Sequence, residues 1–536
     1  MKNRTTDFLI LTILSLLTLF VNNDVIPADY MESRNLATAQ EMVRHSNYLV
    51  PTMNGELRLE KPPLPTWIAA GVEHILPDSL SAQRAVTGFM GMLLVFFIYL
   101  LVKELTKNRK LGLYAAIVLA TSYSIMMMAR NATWDIYCHS FMLIAIYLLT
   151  KGLNKKGAQF PLLIGSSIFM GLSFLSKGPV SFYALLLPYL IAYGFIYRPS
   201  IKEKRGSIAL MIILTLLISS WWMVFMYLFH KEEFLSVMHK ESGSWINHNV
   251  RPWHYYKLFF AESGIWALTW IFSLIYAYRQ RKVLKSNQPA LLLFFAWTLL
   301  SLLLLSFMPE KKTRYLLPLL IPGAINIASY WNYLVTEKLH LRIDRIFFKA
   351  NNYLLGAIFL VLPLGLYLFL YRESKISTIL LFVISTLFLT LALALIQSTR
   401  KKMANKAFLT LATSMIIVST LCFYPIKSIF VNDDRHSIRE LRAIKELKQY
   451  KFYAPANEFI RMELVYEANR TITPLDLKDS IEVSSRIPFV LVSTAKPDTL
   501  LQRHQLQTIG IYDNNWRPTD HKRYNNELLK YVTIVK

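Results

Sequence analysis

The feature that most constrains this chain is a series of apolar stretches, each close to the length of one bilayer crossing. A helix rises 1.5 Å per residue, so about 20 apolar residues span the hydrocarbon core. Such stretches lie at 7–22, 81–102, 111–129, 135–150, 160–176, 179–197, 208–229, 257–278, 289–307, 315–334, 353–371, 376–396 and 407–424. They predict an all-α polytopic membrane protein of about 13 transmembrane helices. Of 536 residues, 54% are hydrophobic and only 17% are charged, too apolar for a soluble chain of this size.

The net charge of +25 does not point to nucleic acid, because the cations sit in short clusters between the apolar runs. Alternate loops are basic: Lys103 to Lys110, Lys151 to Lys156, Arg198 to Arg205, Arg279 to Lys285, Lys338 to Lys349 and Arg400 to Lys406. Lys2 and Arg4 make the N-terminus basic too, so the positive-inside rule puts it in the cytoplasm and, with thirteen spans, the C-terminus outside. No small-residue cleavage site follows the first stretch, which reads as an uncleaved span. Cys138 and Cys422 both lie in apolar runs, and no disulfide framework or zinc spacing is visible. Residues 1–430 form the membrane domain, with a long outer loop at 23–80 and another at 230–256. Residues 431–536 turn polar. There Ile438, Leu441, Ile444 and Leu447 suggest a helix, and "PFVLVST" and "YVTIVK" suggest strands, so a small α/β domain is expected on the outer face.

Ionisable residues collect on that outer side, at the ends of spans. They include Asp29, Glu32, Arg34, Glu60, Lys61, Arg130, Asp135, Lys177, Arg251 and Lys311. Charges at membrane depth are costly and usually mark a cavity or a functional site. Each also has a structural reading: Arg130 as a snorkelling end group, Asp135 as a helix N-cap, Glu60 and Lys61 as a solvated pair. Their clustering on the side where few cations are expected argues for a shared site. Carboxylates suit acid/base work and the cations suit a phosphate. An outward site is far from cytoplasmic nucleotides, and a lipid-linked phosphate reaches it from within the bilayer.

These residues resemble the motifs of the bacterial aminoarabinose transferases and related members of the protein O-mannosyltransferase superfamily, which have the GT-C membrane fold. The resemblance runs from about residue 22 to 335. "YMESRNLATAQEMVRHSNYLVPTMNGELRLEKPPLPTW" resembles an Asp-Glu-x-Arg motif opening a helix, then "W-x-V-P-x-x-N-G", then "F-E-K-P-P". "MARNATWDIY", "LSKGPV" and "EKKTRYLLP" resemble three further family segments. Met31 stands where the family has its leading acid; Glu32 keeps the second acidic position, Arg34 keeps the arginine, and Asp29 lies two residues before Met31.

The resemblance implies a glycosyltransferase that moves a sugar from polyprenyl phosphate to a lipid, glycan or protein acceptor at the membrane, with inversion and without a nucleotide. It implies catalytic roles for Asp135, Glu32, Asp29 and Glu60, and donor-phosphate binding by Lys61, Arg34, Arg130, Lys177, Arg251 and Lys311. Pro62 and Pro63 would hold Glu60 and Lys61 rigidly at the cavity mouth. No cofactor follows from the residues; a divalent metal at the acidic cluster is a family option that no ligand spacing here demands. A transporter or flippase of lipid-linked sugars is the competing reading, and a membrane scaffold a third. A transporter should carry symmetric halves, and no internal repeat is evident.

Overall fold

The computed structural model describes residues 2–337, 339–432, 435–497, 501 and 504–536, without the side chains of 2–4 and 244–246. Among these residues nine helices are long and apolar enough to cross a membrane: Leu80–Thr106, Trp134–Asn154, Phe160–Lys177, Lys202–Phe229, Trp253–Arg279, Pro289–Phe307, Arg342–Tyr371, Thr378–Arg400 and Ala404–Phe430. Thr5–Phe20 and Phe182–Tyr197 are apolar but shorter. The other two predicted spans are also helical. One is broken into Arg109–Ala120 and Tyr123–Met128 where Thr121 and Ser122 leave the helix; the other is Leu317–Thr336, with Pro322 inside it. The chain is a multi-pass membrane protein.

Contacts divide the chain into two units. The first holds residues 1–23, 60–64 and 84–423; the second holds 24–59, 65–83 and 424–536. Most of the outer loop at 23–80 thus groups with the polar C-terminal segment rather than with the membrane helices.

In the first unit, polar groups tie apolar helices together. Asp7, fully buried, accepts from Arg109 Nε at 2.6 Å and from the Tyr99 hydroxyl at 2.6 Å. That pairing anchors the N-terminal helix Lys2–Ser15 to its neighbours. Small residues let helices approach closely. A β-carbon on Gly171 would overlap Ile218, and one on Gly323 would overlap the Trp270 ring. Two π-helical turns, Leu16–Phe20 and Val418–Cys422, loosen the regular carbonyl pairing. Asn22 Nδ2 donates to the Ser419 and Thr420 carbonyls, each at 3.0 Å.

In the second unit, β1 (Thr52–Met53) and β2 (Glu56–Leu57) form a hairpin around Asn54-Gly55. Both turn residues have positive φ, 57° and 82°, the conformation that Asn-Gly adopts at little steric cost. Asn54 joins the backbone of Ile472 through two hydrogen bonds, at 2.8 and 2.7 Å. Ile472 opens β4 (Ile472–Leu475), which pairs in parallel with β3 (Phe452–Pro455). Beyond β3 come β5 (Phe489–Ser493), β7 (Leu529–Val535) and the edge strand β6 (Leu506–Asp513), giving the order β4-β3-β5-β7-β6. β3 and β5 are parallel; β7 runs against both β5 and β6. Tyr453, Leu475, Val483, Phe489, Leu491 and Val535 make the core. The α/β expectation holds, and both predicted strands are present.

The predicted helix near 437–450 is corrected. It is two 3-10 helices, Ile438–Ala443 and Lys445–Gln449, separated at Ile444, which is extended at φ −83°, ψ 102°. The physical reason is visible in the spacing, because Ile438, Leu441, Ile444 and Leu447 recur every third residue, the 3-10 repeat rather than the α repeat.

Candidate active site

Asp135 is the second residue of helix Trp134–Asn154, and Lys177 is the last residue of helix Phe160–Lys177. Gly178 ends the latter with φ 71°, a conformation glycine tolerates, and Pro179 follows. The anion therefore lies at a helix N-terminus and the cation at a helix C-terminus, each favoured by the local dipole. The two side chains form a direct ion pair and are only 5% and 8% exposed. Thr133, not Asp135, is the N-cap position of that helix, so Asp135 is not its cap.

A third segment closes over the pair. Lys177 Nζ lies 4.9 Å from the centre of the Tyr315 ring, in cation–π range. Arg314 is within electrostatic reach of both Asp135 and Lys177. Lys312 pairs with Glu310 at 2.6 Å and also faces the Tyr315 ring, at 5.7 Å. Val250 and Glu310 form an isolated antiparallel bridge that fixes this segment. The Arg251 N–H donates to the Pro309 carbonyl and the Lys311 N–H to that of Asn249, both at 3.2 Å. Lys311 is 3% exposed; its ammonium donates to the carbonyls of Arg251, at 3.0 Å, and Met308. Burial draws its pKa below the usual lysine range. Lys311 is thus a strut under the segment, while the Arg251 side chain is exposed.

Arg130 is 2% exposed and committed to protein acceptors. It donates to the carbonyls of Thr18 and Met126, both at 2.8 Å, and to the Val21 carbonyl and Ser419 hydroxyl, both at 2.7 Å. It lies over Phe423 as well. Burial, with a smaller push from Arg84, pulls its pKa down to about 10, so it stays a cation at neutral pH. It clamps the two π-helical turns. Lys61 pairs with Glu241 at 2.8 Å, each 27% exposed, and Glu60 beside it is half-buried.

The remaining predicted residues belong to the second unit. Asp29 is the N-cap of helix Tyr30–His45 and accepts from the N–H of Met31 at 2.8 Å and Glu32 at 2.9 Å. Glu32, fully buried, sits in the first turn of that helix, and Arg34 lies over the Tyr30 ring. Among the described residues no group of three or more His, Cys, Asp or Glu could hold a metal ion.

Comparison with known proteins places this geometry. Residues 60–223 match the family model described as dolichyl-phosphate-mannose-protein mannosyltransferase. That segment includes Glu60, Lys61, Arg130, Asp135 and Lys177. An uncharacterized protein of Aquifex aeolicus is 29% identical over 309 residues, 56% of this chain and 59% of that one. The undecaprenyl phosphate-alpha-4-amino-4-deoxy-L-arabinose arabinosyl transferase 1 of Proteus mirabilis is 27% identical over 336 residues, 60% of this chain and 57% of its own. The chain thus spans little more than half the length of the curated relatives it matches. The crystal structure of ArnT from Cupriavidus metallidurans bound to undecaprenyl phosphate superposes with a TM-score of 0.70 at 13% identity, covering 98% of this chain and 97% of that one. The chain has the fold of that structure, the GT-C membrane fold.

The structure brings Asp135 and Lys177 together and seats Lys311 and the Arg251 backbone under the segment that covers them. Sequence reading passed over Tyr315, the ring on which three cations converge. Its signal was there, an aromatic following "EKKTR" at the start of an apolar run. Glu241 stands among the outer-loop charges of the sequence, but its pairing with Lys61 was hidden because 180 residues separate the two.

Proposed function

We propose that this chain is a membrane glycosyltransferase that moves a sugar from a polyprenyl-phosphate donor to an extracytoplasmic acceptor, a lipid A-like lipid, a glycan or a protein, with inversion. The observation that carries the reading is the buried Asp135–Lys177 pair under the cation-rich segment around Tyr315. A buried ion pair is rarely a source of stability, and ionisable groups at membrane depth usually serve function. The relatives named as undecaprenyl phosphate aminoarabinose transferases, and the ArnT fold, support it further. We place the protein in a bacterial inner membrane, N-terminus cytoplasmic and C-terminus periplasmic, on the loop charges.

The chemistry follows from charge. The bond between the anomeric carbon and a phosphate oxygen breaks, and the phosphate leaves with the electron pair. An acceptor oxygen bonds the same carbon from the opposite face and loses its proton to a carboxylate. Fixed cations stabilise the charge developing on the leaving phosphate. Lys177 is the first of them, held in place by Asp135; Lys61 and Arg251, the latter exposed, are the others. Glu60, beside Lys61 in the same unit as Asp135 and Lys177, is the carboxylate that takes the acceptor proton. Arg130 and Lys311 hold the scaffold.

Mass spectrometry of envelope lipids, glycans and proteins from cells with and without the gene tests this. Loss of one glycosyl mass from a defined envelope component, with its lipid-linked donor accumulating, is the expected result. Identical envelopes with no accumulated donor would contradict it.

A further inference from the structure

A second polar cluster lies in the membrane unit, at the ends of three helices. Tyr276 is near the C-terminus of helix Trp253–Arg279, Tyr330 and Tyr333 are near the C-terminus of Leu317–Thr336, and Asp344 is in the first turn of Arg342–Leu366. The Tyr276 ring centre is 4.4 Å from that of Tyr333 and 5.6 Å from that of Tyr330. Asp344 is 4% exposed. Its carboxylate accepts from the Tyr330 hydroxyl at 3.1 Å and the Tyr333 hydroxyl at 3.0 Å.

Tyr276, Tyr330 and Asp344, together with Phe272, Arg279 and Phe347, line a narrow cleft of about 10 Å³, room for one water-sized group such as an ammonium. Ile275 and Leu341 on its rim are 39% and 41% exposed. Apolar helices end here, so the cleft sits where headgroups meet the hydrocarbon, the depth that tyrosines favour.

A buried carboxylate is ordinarily paired with a cation. Among the described contacts this one meets only two tyrosine hydroxyls, and a carboxylate has about four lone-pair positions to fill. Three tyrosine rings around an acceptor suit an ammonium, which binds both ring faces and carboxylate oxygens. Arg279, exposed at the mouth, suits a phosphate. One acid inside and one guanidinium outside match a headgroup that carries both charges.

We propose that this cleft binds a zwitterionic phospholipid with a primary ammonium headgroup, its ammonium on Asp344 within the tyrosine rings and its phosphate on Arg279. The cluster shares no residue with the Asp135–Lys177 site, so the inference does not rest on the proposed function.

Native mass spectrometry of the purified protein, titrated with phosphatidylethanolamine, phosphatidylcholine and phosphatidylglycerol of matched chains, tests it. Wild type should take up one phosphatidylethanolamine roughly tenfold more tightly than either other lipid, since phosphatidylcholine has no N–H for Asp344. Asp344→Asn should abolish that preference. Arg279→Gln, a surface change that leaves the helices intact, should weaken phosphatidylethanolamine uptake several-fold and keeps the test decisive if Asp344→Asn does not fold. Equal uptake of the three lipids by wild type, an unchanged preference in Asp344→Asn, or undiminished phosphatidylethanolamine uptake by Arg279→Gln would overturn the assignment.

Discussion

Glu73 shows how a single buried acid can be read from both sides of its titration. It is 7% exposed, and its carboxylate accepts from the Asp78 N–H at 3.2 Å. Burial raises its pKa above the ordinary 4.5, outweighing the Asp78 N–H, which favours the charged carboxylate. The folded state therefore holds the proton more tightly than the unfolded chain does. That favours folding below the ordinary glutamate range, and the benefit is lost as pH rises through the raised value. Glu73→Gln keeps an acceptor and removes the charge. At neutral pH it should unfold at a higher temperature than wild type, by about 1 kcal/mol of stability, and the gap should close on acidification toward pH 4.5. A variant less stable than wild type at neutral pH would contradict the sign. At this scale the sequence marked Asp135 and Lys177, which form an ion pair, but not what each predicted residue does. Asp135 and Lys177 were legible because charges at the ends of apolar runs are costly. The roles of Asp29 and Arg130 were not, because a cap and a guanidinium clamp depend on backbone groups, which the sequence does not display.

Helices in this chain approach through glycine. Gly323 lies against Trp270, and a single added methyl would meet the indole. Gly323→Ala should therefore lower the thermal midpoint in detergent, by about 1–3 kcal/mol of stability, through overpacking. Gly71, with open space beside it, should accept alanine without that loss. Equal midpoints for the two variants would contradict the packing argument. Elements with strong local signals were legible. The apolar runs gave a helix under every predicted span, and Asn54-Gly55 marks its hairpin through the positive φ it allows. The run from Ile438 to Leu447 misled because a three-residue repeat was read as an α period. The break at Thr121-Ser122 inside one predicted span was hidden because both side chains return their hydrogen bonds to the preceding turn and remain buried.

For the whole molecule the loops predict sidedness. Cysteines introduced at Lys401 and at Lys522 should report opposite faces to a membrane-impermeant thiol reagent in intact cells, with only the Lys522 position reacting. Labelling of Lys401→Cys alone would invert the topology and move the proposed site to the cytoplasm. The GT-C fold was accessible from motifs that lie far apart in the chain. The grouping of the first outer loop with the C-terminal sheet was not, since it depends on contacts such as Asn54 with Ile472, 418 residues away. The most direct measurement is release of polyprenyl phosphate from a polyprenyl-phosphate-linked sugar by the purified protein in proteoliposomes. Wild type should release it. The paired replacement Asp135→Leu with Lys177→Met removes both charges at once, so it should retain the fold while turnover falls at least about 100-fold. Turnover by the folded double variant at the wild-type rate would contradict the account.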